Sequence, residues 1–362
     1  METRPQKGMY HMYHMSHFGQ RPPAQKRLII GARLCYSKRL LTTPSSPMTS
    51  LESVVLEALQ EQGLLQGRSL HLLLAYSGGL DSTVLLHVLT RLAQDHPIRV
   101  SAVYYEHRWR GFPSQELPVV FQNCRERKVP LFIVPVDHRV AKTEGAARNA
   151  RYSAFGELAQ QLNVTALLTA HHANDQTETI LFRLFRGTGI DGLAGIRTRH
   201  RITVLDQTRG TEKEISMPVV RPLVNTPHQD LKEYAEGDNP DNTRLRYYDD
   251  PSNEDKAFQR NKIRHDVLPF LREHYPQVEQ ALHRLSDVVR GDLEIINDAV
   301  DTMWNHIYDS HTETLNIQRF LQVSRAYQRR IIRRFLSQHH QSADLNRVEQ
   351  AITFIIGAGR HD

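Results

Sequence analysis

The string Ser77-Gly78-Gly79-Leu80-Asp81-Ser82 sets two glycines, two hydroxyls and one acid between an apolar run, LHLLLAY, and a leucine-rich stretch. Glycines carry no Cβ, so backbone N–H groups can curl around an anion there. A helix opening behind them adds about half a positive charge at the same point. Ser77 and Ser82 add hydroxyl donors. Asp81 is at odds with an anion, and a Mg2+ held between carboxylate and phosphate would reconcile the two. The string is neither a Gly-x-x-x-x-Gly-Lys-Ser/Thr loop nor a Gly-x-Gly-x-x-Gly dinucleotide turn.

Three other groups have types and spacings suited to chemistry. His171, His172, Asp175 and Glu178 lie close together at a junction between an apolar run and a helical stretch. They suit metal ligation or acid–base work, and acidic residues in a helix's first turn are also common for stability alone. Arg148 and Arg151 are three apart, on one helical face, suited either to phosphate or to surface ion pairs. Arg260, Asn261, Lys262, Arg264 and His265 bring polar and basic groups towards one helical end, where such groups hold a phosphate backbone or simply face water.

These stretches carry a resemblance. SGGLDS is similar to the pyrophosphate loop of the PP-loop ATP pyrophosphatases. HHANDQTETILFRLFRGTG, the arginine-bearing AARNARY and DDPSNEDKAFQRNKIRHDVLP together resemble the tRNA(Ile)-lysidine synthetase family. Asn174 stands where many members carry aspartate, and Glu106 where Asp, Asn or His is commoner. His107, Arg110, Arg221 and Pro222 fit the family pattern. The likeness spans residues 72–275 and weakens beyond. It implies ATP bound by Ser77, Gly78, Gly79, Leu80, Asp81 and Ser82, with Mg2+ on Asp81. It also implies a catalytic set of Asp81, His171, Asp175 and either Arg148 or Arg151. Arg260, Asn261, Lys262, Arg264 and His265 are implied to contact RNA. The implied partners are free L-lysine and a tRNA(Ile) with a CAU anticodon, whose wobble cytidine becomes lysidine. A homodimer is one open oligomeric state. The alternatives are another PP-loop tRNA enzyme, a thiolase, or a non-catalytic tRNA-binding PP-loop protein.

The elements that must position these groups follow from the apolar pattern. Short apolar runs near residues 70, 101, 131, 164 and 219 alternate with helical periods. That rhythm predicts a doubly wound α/β domain with a mainly parallel five-stranded sheet, and RITVLDQ with KEISMPVV predicts a hairpin near Arg209-Gly210. A smaller helical domain follows, with helices over 279–307 and 320–338. The expected division is a basic, disordered extension over 1–48, an ATP-binding domain over 49–240, and a helical tRNA-binding domain over 241–362.

The chain has 362 residues and a formal net charge of +6, modestly basic, as suits a partner bearing phosphate. Only two cysteines occur, Cys35 and Cys124, with no Cys-x-x-Cys pair, which suits a reducing compartment and argues against a thiolate metal site. No apolar run reaches membrane length. The cytoplasm is therefore expected, or an organelle if residues 1–47 are a transit peptide rather than sequence upstream of a start at Met48. The chain ends at GAGRHD, short of the further C-terminal domain of longer members, as a short or truncated form would.

Overall fold

The computed structural model describes residues 30–31, 50–65, 69–106, 114–135, 144–206, 213–254, 259–339, 341 and 343–358. Contacts divide these into two units, one reaching Arg186 and resuming over Gly195–Glu279, the other made of Gly187–Ala194 and the chain from Gln280 onward.

In the first unit, α1 (Ser50–Glu61) precedes β1 (Leu70–Ala75), α2 (Leu80–Asp95), β2 (Ile98–Glu106), α3 (Leu117–Glu126), β3 (Leu131–Pro135), α4 (Glu144–Gln161), β4 (Ala166–Leu168) and α5 (Ala173–Phe185). After residue 194 come β5 (Arg199–Asp206), β6 (Lys213–Val220) and α7 (His228–Glu236). The sheet order is β3-β2-β1-β4-β6-β5; the first five are parallel and β5 runs antiparallel at the edge. The expected doubly wound sheet is therefore present. The hairpin partners are β5 and β6, with residues 207–212 outside the described chain. The fifth parallel strand is the second arm of that hairpin and stops at Val220; Arg221-Pro222 already lies in the turn beyond it.

β1 is an all-apolar run apart from His71 because both its faces are covered; Leu72, Leu73 and Leu74 are fully buried. One face packs α1, α2 and α3 through Val55, Leu59, Val84, Leu85 and Val120. The other packs α4 through Phe155, Leu158 and Ala159. Of the N-terminal extension over 1–48, only Ile30–Gly31 is described, and it pairs antiparallel with Ile133 and Phe132. His107 and Arg110 lie outside the described residues.

The first unit does not end near residue 240. Segment 239–248 is tied into it: Leu245 N–H donates to Ala235 O at 2.7 Å, Asn123 Nδ2 to Arg246 O at 2.7 Å, and Arg91 Nη1 to Asp241 Oδ1 at 2.8 Å. The chain then forms α8 (Gln259–Lys262), a π-turn (Ile263–Val267) and α9 (Leu268–His274) as one run. Pro269 explains the π-turn: it has no N–H to offer the His265 carbonyl, and its ring crowds that turn.

The second unit holds α6 (Ile190–Leu193), α10 (Val278–Ile307, whose first two residues belong to the first unit), α11 (Ile317–Gln322), α12 (Arg325–Gln338), α13 (Leu345–Ala358) and a two-residue ladder, β7 (Tyr308–Asp309) with β8 (Thr314–Leu315). The single helix expected over 320–338 is two helices, parted where Val323 and Ser324 turn extended. Its core joins Trp304, Phe320, Ile331, Ile332, Val348 and Ile352. α6 belongs here because Asp191 pairs with Arg333 at 3.1 Å and Ala194 O accepts from Ser286 Oγ at 2.9 Å. No helix among the described residues is long and apolar enough to cross a membrane.

Candidate active site at the sheet's switch point

β1 sends the chain towards β2 and β3 on one side, while β4 lies on its other side. Strand order reverses there, and in doubly wound sheets the crevice outside the carboxyl ends of two such strands is where ligands bind. The loop 77–82 follows β1 and His171-His172 follow β4, so the topology alone brings two of the sequence-selected groups together.

The glycine loop is braced from within. Ser77 Oγ lies 3.0 Å from Ser82 Oγ, Ser82 Oγ donates to Gly79 O at 3.1 Å, and Gly79 N–H donates to Ser77 Oγ at 3.3 Å. Tyr76, 1% exposed, anchors the loop's root: its hydroxyl contacts Thr83 Oγ1 at 3.2 Å and accepts from Asn123 Nδ2 at 2.7 Å. Gly78 sits at φ +84°, and a Cβ there would lie 2.7 Å from Val120 Cγ2, so the fold itself demands glycine. Its carbonyl accepts from Tyr248 N–H at 2.8 Å. A Cβ on Gly79 would meet Ser77 Oγ only at 3.5 Å, an ordinary contact. Glycine at 79 thus leaves bare backbone facing out at the N-terminus of α2.

Asp81, in the first turn of α2, faces two imidazoles. His228 Nε2 lies 3.3 Å from its Oδ1 and His172 Nε2 lies 3.7 Å from its Oδ2; the two rings are 4.9 Å apart. Asp81 raises the pKa of His228. The ligand atoms of Asp81, His172 and His228 all lie within 4.8 Å of one another. His172, however, has the wrong tautomer for ligation. Its Nδ1 accepts from Asn174 N–H at 3.2 Å, so in the neutral ring Nε2 carries the proton. That N–H points between Asp81 and Asp175, whose Oδ2 is 3.5 Å away. Asp81 Oδ1 is buried, and its one close polar neighbour is His228 Nε2 at 3.3 Å, an ion-pair contact that does not form a regular hydrogen bond. One hard, under-satisfied carboxylate oxygen beside a bare glycine loop fits Mg2+ shared with a phosphate, a cation that takes oxygen ligands.

α5 opens with a capping box: Asp175 Oδ2 accepts from His172 N–H at 3.0 Å. Glu178, one turn on and 4% exposed, has its pKa raised by burial, against the pull of Arg264. Arg264 grips it bidentately at 2.6 and 3.1 Å and lies 3.8 Å from Asp175. The phosphate contact expected of Arg264 therefore competes with an ion pair inside the protein. Arg260 turns elsewhere, over the Phe182 ring at 5.7 Å, while Lys262 is exposed. Arg260 and Lys262, two apart on α8, face different sides of that helix, and Arg264 stands in the π-turn that follows.

His171 and His172 point apart. His172 joins Asp81; His171 Nδ1 contacts Thr169 Oγ1 at 2.8 Å. Burial, then Arg221, Arg148, Arg151 and Arg260, push the His171 pKa far down, so its ring is neutral. Arg148 stacks over Tyr152 at 5.0 Å on α4. Asn174, where aspartate was expected, acts as a linker: its Oδ1 accepts from His228 N–H at 3.1 Å and its Nδ2 donates to Glu279 at 3.3 Å. His228 is the site residue that sequence reading missed; nothing in TPHQD marks it, and only the packing of α7 brings it to Asp81. Cys124 is 2% exposed within α3, and burial pushes its thiol up to about 12, which makes it an inert core residue. Cys35 lies outside the described residues. Glu106, fully buried at the end of β2, accepts from Ser114 Oγ.

A model of the PP-loop domain matches residues 49–271. A curated tRNA(Ile)-lysidine synthase of Histophilus somni (strain 129Pt) is 31% identical over 271 residues, 74% of this chain and 59% of that protein. That of Pseudomonas fluorescens (strain Pf0-1) is 38% identical over 216 residues, 59% of this chain and 45% of that protein. That of Synechocystis sp. (strain ATCC 27184 / PCC 6803 / Kazusa) is 30% identical over 294 residues, covering 80% and 84% respectively. The chain thus spans about half the length of the first two and most of the third. Among solved structures, the U34-tRNA thiolase NcsA of Methanococcus maripaludis aligns with TM-score 0.51 and 14% identity over 66% of this chain and 78% of that one, a likeness of fold. The braced glycine loop at the switch point, the matched domain and the near-full-length relative agree: the chain belongs to the PP-loop family and, within it, to the tRNA(Ile)-lysidine synthases.

Proposed function

We propose that the protein joins the ε-amine of free L-lysine to C2 of the wobble cytidine of a tRNA(Ile) with a CAU anticodon, splitting ATP into AMP and pyrophosphate. The observation that carries this reading is Asp81, with a buried oxygen that only His228 approaches, beside Gly78-Gly79 at the switch point of a lysidine synthase fold. The backbone of Gly78 and Gly79, the hydroxyls of Ser77 and Ser82 and the N-terminus of α2 suit the phosphates of ATP. Asp81 would hold Mg2+, which offsets charge on the departing pyrophosphate.

The cytosine must leave its stack to reach this loop. Its O2 attacks the α-phosphate, and AMP on that oxygen then makes C2 open to an amine. Free lysine is an ammonium at neutral pH, so a base must take its proton. Asp175 is the better candidate. It stands beside His172 on the Asp81 side, whereas His171 turns away to Thr169, where burial and the arginines push its pKa down, and serves as a fixed polar contact. Arg148 and Arg151 lie on the His171 side, where they suit phosphate or the charge developing on the base. The reading places the enzyme in the cytoplasm or an organelle, wherever its tRNA is. ATP–pyrophosphate exchange with and without tRNA, followed by transfer of radiolabelled lysine, tests it. Exchange that needs no tRNA, or product without lysine, would overturn it.

A further inference from the structure

Helix α10 carries two rows of side chains, and its own unit covers one of them. Ser286, Val289, Leu293, Val300, Trp304 and Ile307 are buried on the first. About a third of a turn round the helix runs a second row, Ala281, Leu285, Val288, Asp292, Ile295 and Ala299, spaced four and three residues apart in alternation. Leu285 is 42% exposed, Val288 63% and Ile295 72%. Single exposed apolar side chains are ordinary, but three at coiled-coil spacing form one continuous stripe. From Ala281 to Ala299 it is about 27 Å long.

The stripe is complementary to itself. Laid antiparallel about a two-fold axis near residue 290, it sets Ala281 opposite the second copy's Ala299, Leu285 opposite its Ile295, and Val288 opposite its Asp292. Arg284 and Asp298 flank the stripe, seven residues before and seven after Gly291. Both are exposed, and among the described residues neither side chain makes an ion pair. A partner of one charge would leave one of the two unmatched, and a parallel copy would set like beside like. An antiparallel copy pairs both, Arg284 with Asp298 and Asp298 with Arg284. Gly291, near the axis, agrees with this. A Cβ there would meet nothing within 4 Å, so the chain's own packing does not demand glycine, which costs roughly 1 kcal/mol against alanine in mid-helix. Bare backbone at that point lets a second helix come close.

We infer that α10 is the contact of a two-fold homodimer, its stripe over 281–299 packed antiparallel against the same stripe of a second copy. Asp292 is the one charge within the stripe. A polar residue at such a position fixes register at a cost in stability, so the dimer is weak and depends on concentration. The inference concerns assembly and stands whether or not the protein transfers lysine.

The test is sedimentation velocity of the full chain over a wide concentration range at low salt, for wild type, Ile295→Glu, Arg284→Asp, Asp298→Arg and the double swap Arg284→Asp, Asp298→Arg. Thermal melting of dilute protein controls for folding. Wild type should pass from monomer to dimer as concentration rises. Ile295→Glu should stay monomeric throughout with its melting temperature unchanged, because the side chain is exposed in the monomer. Each single swap should weaken dimerisation severalfold, and the double swap should restore it. Wild type that stays monomeric at the highest concentration would overturn the inference. So would a dimer indifferent to Ile295→Glu, which would lie on another surface, or a double swap no better than the single ones. A lowered melting temperature of monomeric Ile295→Glu would mean that the chain's own residues cover the stripe, and would overturn it too.

Discussion

Three residues, two in the glycine loop and one in α3, make separable demands. Asp81→Asn keeps the size of the side chain and removes its charge. We expect AMP formation to fall by at least about 100-fold, with RNA binding and melting temperature little changed, as befits a group that holds a metal rather than the fold. Wild-type turnover at saturating Mg2+ would refute this. Gly78→Ala acts differently. A Cβ at φ +84° and 2.7 Å from Val120 Cγ2 strains both backbone and core. We expect a cost of roughly 1–3 kcal/mol, read as a lower melting temperature together with lost ATP binding. Cys124→Ser, at a buried thiol held near 12, should leave lysine transfer within about twofold, and its complete loss in a folded, ATP-binding variant would point to sulfur chemistry instead.

At the scale of elements, helix 259–274 docks on α5 through Arg264 and Glu178. Arg264→Ala leaves a buried carboxylate without its fork. We expect a loss of roughly 1–3 kcal/mol, discounted because Arg264 is 38% exposed on its side chain. The double variant Arg264→Ala, Glu178→Gln should recover much of it, and the RNA salt slope should stay nearly constant; non-recovery would mean the pair is incidental. This pairing shows where sequence reading stopped. The glycine loop, the five parallel strands and the hairpin were legible because apolar runs and glycines are local signals. Arg264 turning onto Glu178 was not legible, since a basic run reads the same whether it meets RNA or a carboxylate. The π-turn ahead of Pro269 was not read either, since the helix register there depends on how the chain packs. His228 had no local signal at all, and the boundary expected near 240 missed the hydrogen bonds that sew 239–248 into the first unit.

For the whole molecule, buried neutral histidines set the acid limit. His71 is 7% exposed; Arg99 Nη2 lies 2.6 Å from its Nδ1, and burial, then Arg99, hold its pKa down to about 4. The unfolded chain returns it to about 6.5. Between these values the unfolded state binds the extra proton, so stability is complete above about pH 6.5 and falls as pH drops towards 4. His71 alone should remove on the order of 2 kcal/mol between pH 7.5 and 5, and His200, which is partly exposed, adds a smaller share in the same direction. Denaturant midpoints across that range, for wild type and His71→Gln, check this; equal slopes for both would exclude His71 as a source.

One backbone bond has a kinetic meaning. Tyr248 N–H is tied to the Gly78 carbonyl at 2.8 Å, across 170 residues of chain. Its proton can trade with deuterium only when the glycine loop and segment 239–248 part company. That single amide is thus a built-in clock for the nucleotide loop. Its exchange lifetime should lengthen when ATP settles the loop and shorten in Gly78→Ala, without any reporter being added to the chain.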